Sequence, residues 1–378
     1  MRIAYTHQIF TEQKYGGISR YFAELASSLA EMGETPMIFS GFHRNEYLRK
    51  IDKEIIKGWF CPVKNNRGSR LRQKLGDVYQ KATLPGWRPD IIHDTFYRDV
   101  TYKSCKAPRL VTVYDMIYEY FPEFQWNGEL SSLQKRQAVE RADHVICISH
   151  STRNDLISLF GTPAEKISVV HLGCQKQAQS VPPTLNPGRP YLLFVGSRTG
   201  IKNFDRLIQA FALTGLHTEF DLVMFGSSPF NEPEIQQIEA AGLGQHCVRF
   251  VQGDDQVLAW LYGAARAFVY PSLYEGFGLP PLEAMAMGCP VASSNTSSMP
   301  EVIGPAAEYF DPFDIDEMAR ALTMVLTDEG RRTSLIREGL KRIDLFTWEK
   351  TAAETLKVYR KVLGTPEQSV HPDRNRSI

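Results

Sequence analysis

The strand-like run Ala267-Phe-Val-Tyr270 leads into Glu275-Gly-Phe-Gly-Leu-Pro-Pro-Leu-Glu283, and this junction decides the predicted fold. It is typical of a strand, a glycine-rich turn and a helix start, and ligands of open α/β sheets bind at such carboxyl ends of strands. Glycines let backbone N–H groups approach a ligand, and a proline-led first helical turn attracts anions such as phosphate. Two carboxylates beside an anion site indicate a ligand with hydroxyls and phosphates, such as a sugar nucleotide. An ordinary strand-to-helix turn without a ligand is the alternative.

Strand-like and helix-like segments alternate along the chain, which predicts parallel sheets covered by helices on both faces. The segment 179–190 has four prolines and a glycine in twelve residues, which is typical of a linker. The predicted units are Rossmann-like domains at 1–180 and 191–346, a linker at 181–190, a helix at 347–364 and a flexible tail at 365–378. The predicted strands are 3–6, 37–39, 90–93, 110–113, 144–148, 167–170, 191–196, 220–226, 248–252, 267–270 and 290–292.

The composition argues against several classes of protein. The 43 basic and 43 acidic side chains balance, so charge gives no indication of nucleic-acid binding. The six cysteines show no metal-ligand spacing and are typical of the reduced core of a cytoplasmic protein. The N-terminus lacks a signal-peptide pattern, and no apolar run reaches the roughly 18 residues of a membrane span. Asp314-Ile-Asp316 has the spacing of a metal site, but acids collect at helix starts, so we predict no metal and no cofactor.

The run from Pro271 to Val291 is Pro-Ser-x-x-Glu-Gly-Phe-Gly-Leu-Pro-Pro-Leu-Glu-Ala-Met-Ala-x-Gly-x-Pro-Val, and it resembles the signature of family-4 retaining glycosyltransferases of the GT-B fold. The resemblance implies an α/β protein with two Rossmann-like domains, a central cleft and a C-terminal helix that crosses back to the first domain. It also implies an acceptor-binding first domain and a donor-binding second domain. By the same resemblance, Glu275 lies near the donor sugar hydroxyls and Glu283 on the nucleotide ribose. The sugar and diphosphate would be held by backbone groups of Gly276, Phe277, Gly278 and Leu279.

Two further glycine-containing loops follow predicted strands. Arg198 and Lys202, after the first strand of the second domain, offer a planar fork and a compact charge that suit a diphosphate. The family holds the diphosphate in this loop. Gly16 and Gly17 open the first helix of the first domain, where the resemblance places a glycine pair that faces the cleft. Solvated loop cations and an ordinary helix entry are the respective alternatives.

The catalytic candidates are Glu275 and three residues of the first domain, namely Tyr114, Asp115 and His93. Many family members carry a histidine at the position of Tyr114, near the anomeric carbon. Tyr114 can donate a hydrogen bond to a hydroxyl, but it is a poor base near neutral pH. Asp115 keeps the residue type of the family, with a turn-forming aspartate as the alternative. We expect His93 to point toward the same cleft, with a purely structural histidine as the alternative.

The resemblance, including its weaker part at 7–22, extends to transferases that build bacterial surface polysaccharides such as O-antigen or capsule, several of them mannosyltransferases. We therefore expect metal-independent, retaining transfer of a hexose to a saccharide or polyprenyl-diphosphate-linked saccharide. Mannose from a GDP donor is the first expectation, with UDP as the other base. A nucleotide-sugar epimerase, a phosphorylase and a non-catalytic binding subunit are the alternatives, and the departure at Tyr114 keeps the last of these open.

The region 42–81 carries eleven Lys and Arg residues against four Asp and Glu residues, with aromatic residues among them. In the fold that the chain resembles, this region belongs to the acceptor-binding domain. Such a segment suits an anionic membrane surface or a lipid-diphosphate acceptor, and a solvated surface loop is the alternative. We therefore predict a cytoplasmic protein with peripheral contact to the inner face of the cell membrane through 42–81.

Overall fold

The computed structural model describes residues 1–62, 69–100, 105–124, 128–174, 188–198, 200–226, 228–244 and 246–365. In the first half, the strands are β1 (Arg2–Tyr5), β2 (Thr35–His43), β3 (Ile56–Phe60), β4 (Ile91–Asp94), β5 (Arg109–Val113), β6 (His144–Cys147) and β7 (Ile167–Val169). The helices are α1 (Gln8–Glu12), α2 (Gly17–Glu31), α3 (Ser69–Trp87), α4 (Ile117–Tyr120), α5 (Gly128–Arg141) and α6 (His150–Phe160). The strands form one parallel sheet in the order β3-β2-β1-β4-β5-β6-β7.

The second half repeats this architecture. Its strands are β8 (Tyr191–Val195), β9 (Asp221–Phe225), β10 (Val248–Val251), β11 (Ala267–Tyr270), β12 (Val291–Ser294) and β13 (Ala307–Phe310). Its helices are α7 (Phe204–Leu213), α8 (Glu232–Ala240), α9 (Asp255–Ala264), α10 (Leu279–Ala286), α11 (Met299–Ile303), α12 (Ile315–Thr327), α13 (Glu329–Ile343) and α14 (Trp348–Val362). The strands form a second parallel sheet in the order β10-β9-β8-β11-β12-β13.

The predicted α/β class with two parallel sheets is confirmed, and each of the eleven predicted strands overlaps an observed one. The sequence analysis missed β3 and β13, which lie at the edges of their sheets. All residues of the inner strands β4 and β11 are buried, whereas no residue of β3 is fully buried. An edge strand is covered less completely and therefore carries a weaker apolar pattern.

The strand order places the loops after β1 and β11 at the switch points of the two sheets. β1 lies between β2 and β4, and β11 lies between β8 and β12. The crevice outside such a switch point is the usual ligand site of an open α/β sheet. The loop that contains the glycine pair at 16–17 follows β1, and the loop that contains Glu275 follows β11.

The last helix, α14, belongs to the chain's second half but packs against α2 of the first. The Tyr359 hydroxyl lies 2.7 Å from His93 Nδ1 and 3.2 Å from the Tyr5 hydroxyl, so α14 completes the core beside β1 and β4. The predicted crossing helix is thereby confirmed. Residues 181–187 of the predicted linker and 366–378 of the predicted tail lie outside the described residues, and the domain boundaries stay a prediction. Among the described residues, no helix has the length and apolar character that a membrane crossing requires.

Candidate active site

A cavity of about 600 Å³ lies between the two sheets, within the size range of small-molecule sites. Eleven of the thirteen site residues predicted from the sequence line it, which brings the predicted loops of both halves together. The eleven are Gly16, Gly17, Tyr114, Asp115, Lys202, Glu275, Gly276, Phe277, Gly278, Leu279 and Glu283. The two that do not line it are His93 and Arg198.

The turn at 275–278 is fixed by contacts to its carbonyl groups and by its glycines. The Ser298 hydroxyl lies 2.8 Å and 2.9 Å from the carbonyl oxygens of Glu275 and Phe277, and the Ser149 hydroxyl donates to the Gly276 carbonyl at 2.7 Å. Gly278 has φ +108°, a conformation that L side chains rarely adopt. The turn is therefore held rigidly, with the first turn of α10 directed at the cavity.

Glu275 and Lys202 form an ion pair at the cavity wall. Lys202 Nζ lies 2.5 Å from Glu275 Oε1 and 5.4 Å from the centre of the Tyr270 ring. The Glu275 backbone N–H donates to the Ser297 hydroxyl at 2.9 Å. Both charged groups keep contact with the cavity, so this pair presents a carboxylate for hydroxyl groups beside an ammonium group for a phosphate.

Glu283, in the middle of α10, faces a cation from the other half of the molecule. Arg20 Nη1 donates to Glu283 Oε1 at 3.0 Å, across the cleft. Burial raises the pKa of Glu283, while the positive charge of Arg20 opposes that increase. The sequence analysis missed Arg20. The available signal was its place on the first turn of α2, three residues after Gly17, which turns it toward the same cleft.

In this structure Arg198 does not face the cavity as expected, and its diphosphate role stays a prediction. Its Nε lies 3.0 Å from Glu234 Oε1, and its Nη2 donates to the carbonyls of Ser228 and Pro229 at 2.9 Å. The guanidinium also stacks 4.8 Å from the Phe230 ring. Arg198 is buried in this cluster and does not line the cavity, because a bidentate acid from α8 satisfies its fork.

The structure also corrects the expectation for His93, which lies in the core and not in the cleft. Its Nδ1 contacts Tyr359, and its Nε2 lies 2.8 Å from the Thr112 hydroxyl. Burial lowers the pKa of His93 to about 3, so the imidazole stays neutral. The structural interpretation of this histidine is the one that the contacts favour.

Tyr114 and Asp115 lie where the first sheet meets the Glu275 turn. The Tyr114 hydroxyl donates to the Thr95 carbonyl at 3.3 Å, and burial raises the pKa of Tyr114 well above its ordinary value. Tyr114 therefore stays protonated and cannot act as a base. Asp115 Oδ1 accepts the Ile117 backbone N–H at 3.1 Å and lies 3.8 Å from Nζ of the buried Lys135. Asp115 thus forms a turn and also lines the cavity.

Glu301 of α11 joins the two halves outside the cavity. Its Oε1 accepts the His150 backbone N–H at 2.8 Å, its Oε2 accepts the Ser151 N–H at 3.1 Å, and His171 Nε2 lies 2.7 Å from Oε1. Burial alone would raise the pKa of Glu301, but these hydrogen bonds hold it below the ordinary value. The first two donors are the free N–H groups at the start of α6, so a carboxylate of one half caps a helix of the other.

Potential metal ligands occur at this contact as well. Ligand atoms of His150, His171 and Glu301 lie within 4.8 Å of one another, and the carboxylate accepts the N–H groups at the start of α6. At the other place considered from the sequence, Asp314 accepts the Glu317 N–H at 2.9 Å as the N-cap of α12. The helix-start interpretation of Asp314 is confirmed.

Two facing Rossmann-like sheets with a ligand cavity between their switch points define the GT-B class of fold. Residues 15–177 match the family model described as glycosyltransferase family 4, and residues 175–342 match the model described as glycosyl transferases group 1. This chain belongs to the family-4 glycosyltransferases. The predicted resemblance and the predicted transferase class are thereby confirmed, together with the relatives described next.

Individual relatives cover nearly the whole chain. The chain is 31% identical over 369 residues to O-antigen chain mannosyltransferase B of Escherichia coli, covering 91% of this chain and 96% of the relative. It is 30% identical to alpha-maltose-1-phosphate synthase of Mycolicibacterium smegmatis, covering 96% and 100%. The fold is similar to that of sucrose-phosphate synthase from Thermosynechococcus elongatus, with a TM-score of 0.74 and 21% identity over 96% of this chain and 99% of that one.

Proposed function

We propose that this protein transfers a hexose from a nucleotide-sugar donor to a saccharide or lipid-linked saccharide, with retention of the anomeric configuration and without a metal, in the synthesis of a cell-surface polysaccharide. Mannose from GDP-mannose is the first candidate donor, because the Escherichia coli relative named above is an O-antigen mannosyltransferase. The relative with 30% sequence identity is an alpha-maltose-1-phosphate synthase. UDP-glucose and other nucleotide-linked glucose donors are therefore the second candidates.

One observation carries the proposal: two acid–cation pairs, Glu275–Lys202 and Glu283–Arg20, line the cavity between the sheets. A sugar nucleotide has hydroxyl groups that donate to carboxylates and phosphates that accept from cations. In our proposal Glu275 binds hydroxyls of the donor sugar, Glu283 binds the ribose, and Lys202 binds the diphosphate. Backbone groups of Gly276 to Leu279 and of Gly16 and Gly17 supply further donors to the ligand.

The proposed reaction needs no protein nucleophile. The bond between the anomeric carbon and the diphosphate oxygen breaks, and its electron pair stays on that oxygen. The acceptor hydroxyl then attacks from the same face, and its proton passes to the departing phosphate. Charge develops on the diphosphate, so a cation fixed at that point stabilises the transition state. Tyr114, held neutral and protonated, is suited only to hydrogen bonding, and Asp115 is the acid that the first half contributes to the described cavity lining.

The first test is a thermal-shift panel of nucleoside diphosphates and sugar nucleotides on the wild type, Lys202→Ala and Glu283→Ala. A ligand that binds only the folded protein raises its melting temperature. We expect stabilisation by one nucleotide family, lost in both variants, and then transfer from that donor to a saccharide acceptor with an unchanged anomeric configuration by NMR. Folded protein that no nucleotide stabilises would refute the donor site. An inverted product would refute the retaining mechanism.

We also propose that the exposed face of α3 contacts an anionic membrane. On this helix Leu71, Leu75 and Val78 are exposed, at 62%, 44% and 66%, and Lys74 and Lys81 are exposed beside them. Apolar side chains flanked by lysines on one helix face suit the interface of an anionic bilayer. Because the region belongs to the first domain, contact there would bring a lipid-linked acceptor to the cavity.

Vesicle sedimentation tests this contact. We expect binding to vesicles that contain phosphatidylglycerol, weaker binding to neutral vesicles, and loss of binding in the Leu75→Glu/Val78→Glu double variant. Leu213→Glu is the matched control, because Leu213 is an exposed leucine of the second half, at 56%. Equal sedimentation of the double variant and the wild type would show that α3 is an ordinary solvated helix.

A further inference from the structure

Among the described residues that line the cavity, the cationic side chains are Lys202 and Arg20. Lys202 comes from the second half, two residues before α7, and Arg20 comes from α2 of the first half. Arg198, the expected second cation of the phosphate loop, is bound to Glu234 elsewhere. The cavity thus has one positive charge from each half of the molecule.

Each of these cations is paired with a carboxylate that we assign to the donor's hydroxyls. Lys202 contacts Glu275, and Arg20 contacts Glu283. The pairs keep all four charges compensated inside a partly buried site, where an unpaired charge is costly. A diphosphate that enters between the pairs offers the cations a doubly charged partner, and its sugar and ribose offer the acids neutral hydroxyl donors.

The position of Arg20 suits a phosphate. It lies on the first turn of α2, three residues after Gly17, and its own backbone N–H donates to the Gly16 carbonyl at 3.0 Å. The start of a helix favours anions, and a guanidinium fork binds phosphate with two parallel hydrogen bonds. Its contact with Glu283 uses Nη1, and the planar guanidinium has five N–H donors in all.

We propose that Arg20 is a diphosphate-binding residue contributed by the first domain, and that it exchanges Glu283 for the donor's phosphate as the donor binds. The exchange frees the Glu283 carboxylate to accept ribose hydroxyls. It also places the diphosphate between Arg20 and Lys202, so the bound donor itself draws the two halves together and excludes water from the reaction. This inference rests on the proposed nucleotide-sugar site.

The test compares ligands that differ only in their phosphates. Calorimetric affinities are measured for the nucleoside, the monophosphate and the diphosphate of whichever base stabilises the wild type. For Arg20→Gln we expect nucleoside affinity within about twofold of the wild type and diphosphate affinity about 10- to 100-fold weaker, since a hydrogen bond to a charged group is worth about 1.5–3 kcal/mol. Arg20→Lys should recover part of the loss, because it restores the charge without the fork.

Arg337→Gln is the matched control, because Arg337 is a surface arginine at 66% exposure and the same charge is removed. Equal losses of nucleoside and diphosphate affinity in Arg20→Gln would overturn the proposal, since Arg20 would then act only through Glu283 on the ribose. Unchanged affinities would overturn it as well. If Arg20→Gln does not fold, the double variant Arg20→Lys/Glu283→Gln is compared with Glu283→Gln alone. A phosphate role predicts that the double variant still loses affinity for the diphosphate but not for the nucleoside. Failure of the wild type to bind any nucleotide would instead refute the proposed function.

Discussion

At Gly276 the two halves of the molecule approach each other closely beside the cavity. A Cβ added there would lie 1.7 Å from the Tyr114 carbonyl oxygen and 2.9 Å from the Asp115 Cβ. Backbone cannot move aside as a flexible side chain can, so Gly276→Ala should lower the free energy of unfolding by about 1–3 kcal/mol. Urea denaturation measures it. Gly86→Ala is the control, because that position opens to free space; equal behaviour of the two variants would contradict the predicted clash.

His93 should make stability depend on pH, because the folded protein excludes a proton that the unfolded chain binds. Burial lowers the pKa of His93 from 6.5 to about 3. Stability contributed by the neutral imidazole is therefore complete above pH 6.5 and is lost as the pH falls toward 3, by roughly 2 kcal/mol at pH 5. His43 and His144, with their pKa lowered to about 4, add to the slope.

The contribution of His93 itself is isolated by comparing the wild type with His93→Gln. Guanidinium denaturation at pH 7 and pH 5 should show a smaller pH-dependent loss in the variant, although the variant is less stable at pH 7. Identical losses would mean that His93 takes up a proton in the folded protein, which would return it to the list of acid–base candidates.

Site residues were predictable where the backbone alone fixes their place. Glu275, Lys202 and the glycine loops follow strands, and parallel strands bring such loops to one edge. The side-chain contacts of Arg198, His93 and Arg20 were not predictable, because their partners lie far away in the sequence. Glu234 is 36 positions from Arg198, Tyr359 is 266 positions from His93, and Glu283 is 263 positions from Arg20. Conformations of long or polar side chains depend on such tertiary partners, which a single sequence does not reveal.

At the scale of elements, the sequence analysis found all the inner strands but missed two of the edge strands, β3 and β13. Apolar runs identified the inner strands of both sheets, and the alternation with helices identified their parallel arrangement. β3 contains Lys57 and Gly58, and β13 contains Glu308, so neither has an uninterrupted apolar run such as that of β11. The contact of α11 with α6 could not be predicted either, because it depends on how the two halves of the molecule are arranged.

That contact yields a prediction for Glu301. Its carboxylate caps α6 and contacts His171, so Glu301→Gln, which keeps the shape and removes the charge, should lower the free energy of unfolding by about 1–2 kcal/mol at pH 7. Hydrogen bonding holds the pKa of Glu301 below 4.5. The difference from the wild type should therefore be full above pH 4.5 and shrink as the pH falls through the lowered pKa.

Denaturation at pH 7 and pH 3.5 provides the measurement, with Glu354→Gln as a control at an exposed acid of α14. A difference that stays constant between the two pH values would show that the Glu301 charge does not stabilise this contact.

At the scale of the whole molecule, α14 makes the two halves interdependent. The helix follows the second sheet in sequence, yet Tyr359 contacts His93 and Tyr5, and the Thr351 hydroxyl donates to the His171 carbonyl at 2.9 Å. A Cβ on Gly173 would lie 2.5 Å from the Trp348 backbone nitrogen, which shows how closely α14 begins against the first half. Removing α14's contacts should therefore destabilise the first sheet although the mutated residue belongs to the second half of the chain.

Tyr359→Phe tests this coupling, because it removes one hydroxyl and leaves His93 Nδ1 and the Tyr5 hydroxyl buried without that partner. An unmet buried polar group costs about 1–3 kcal/mol, so the variant should melt at a lower temperature. If α14 couples the halves, scanning calorimetry should show one transition for the wild type and one transition, shifted as a whole, for the variant. Two transitions of which only one shifts would mean that the halves unfold independently and that α14 does not couple them.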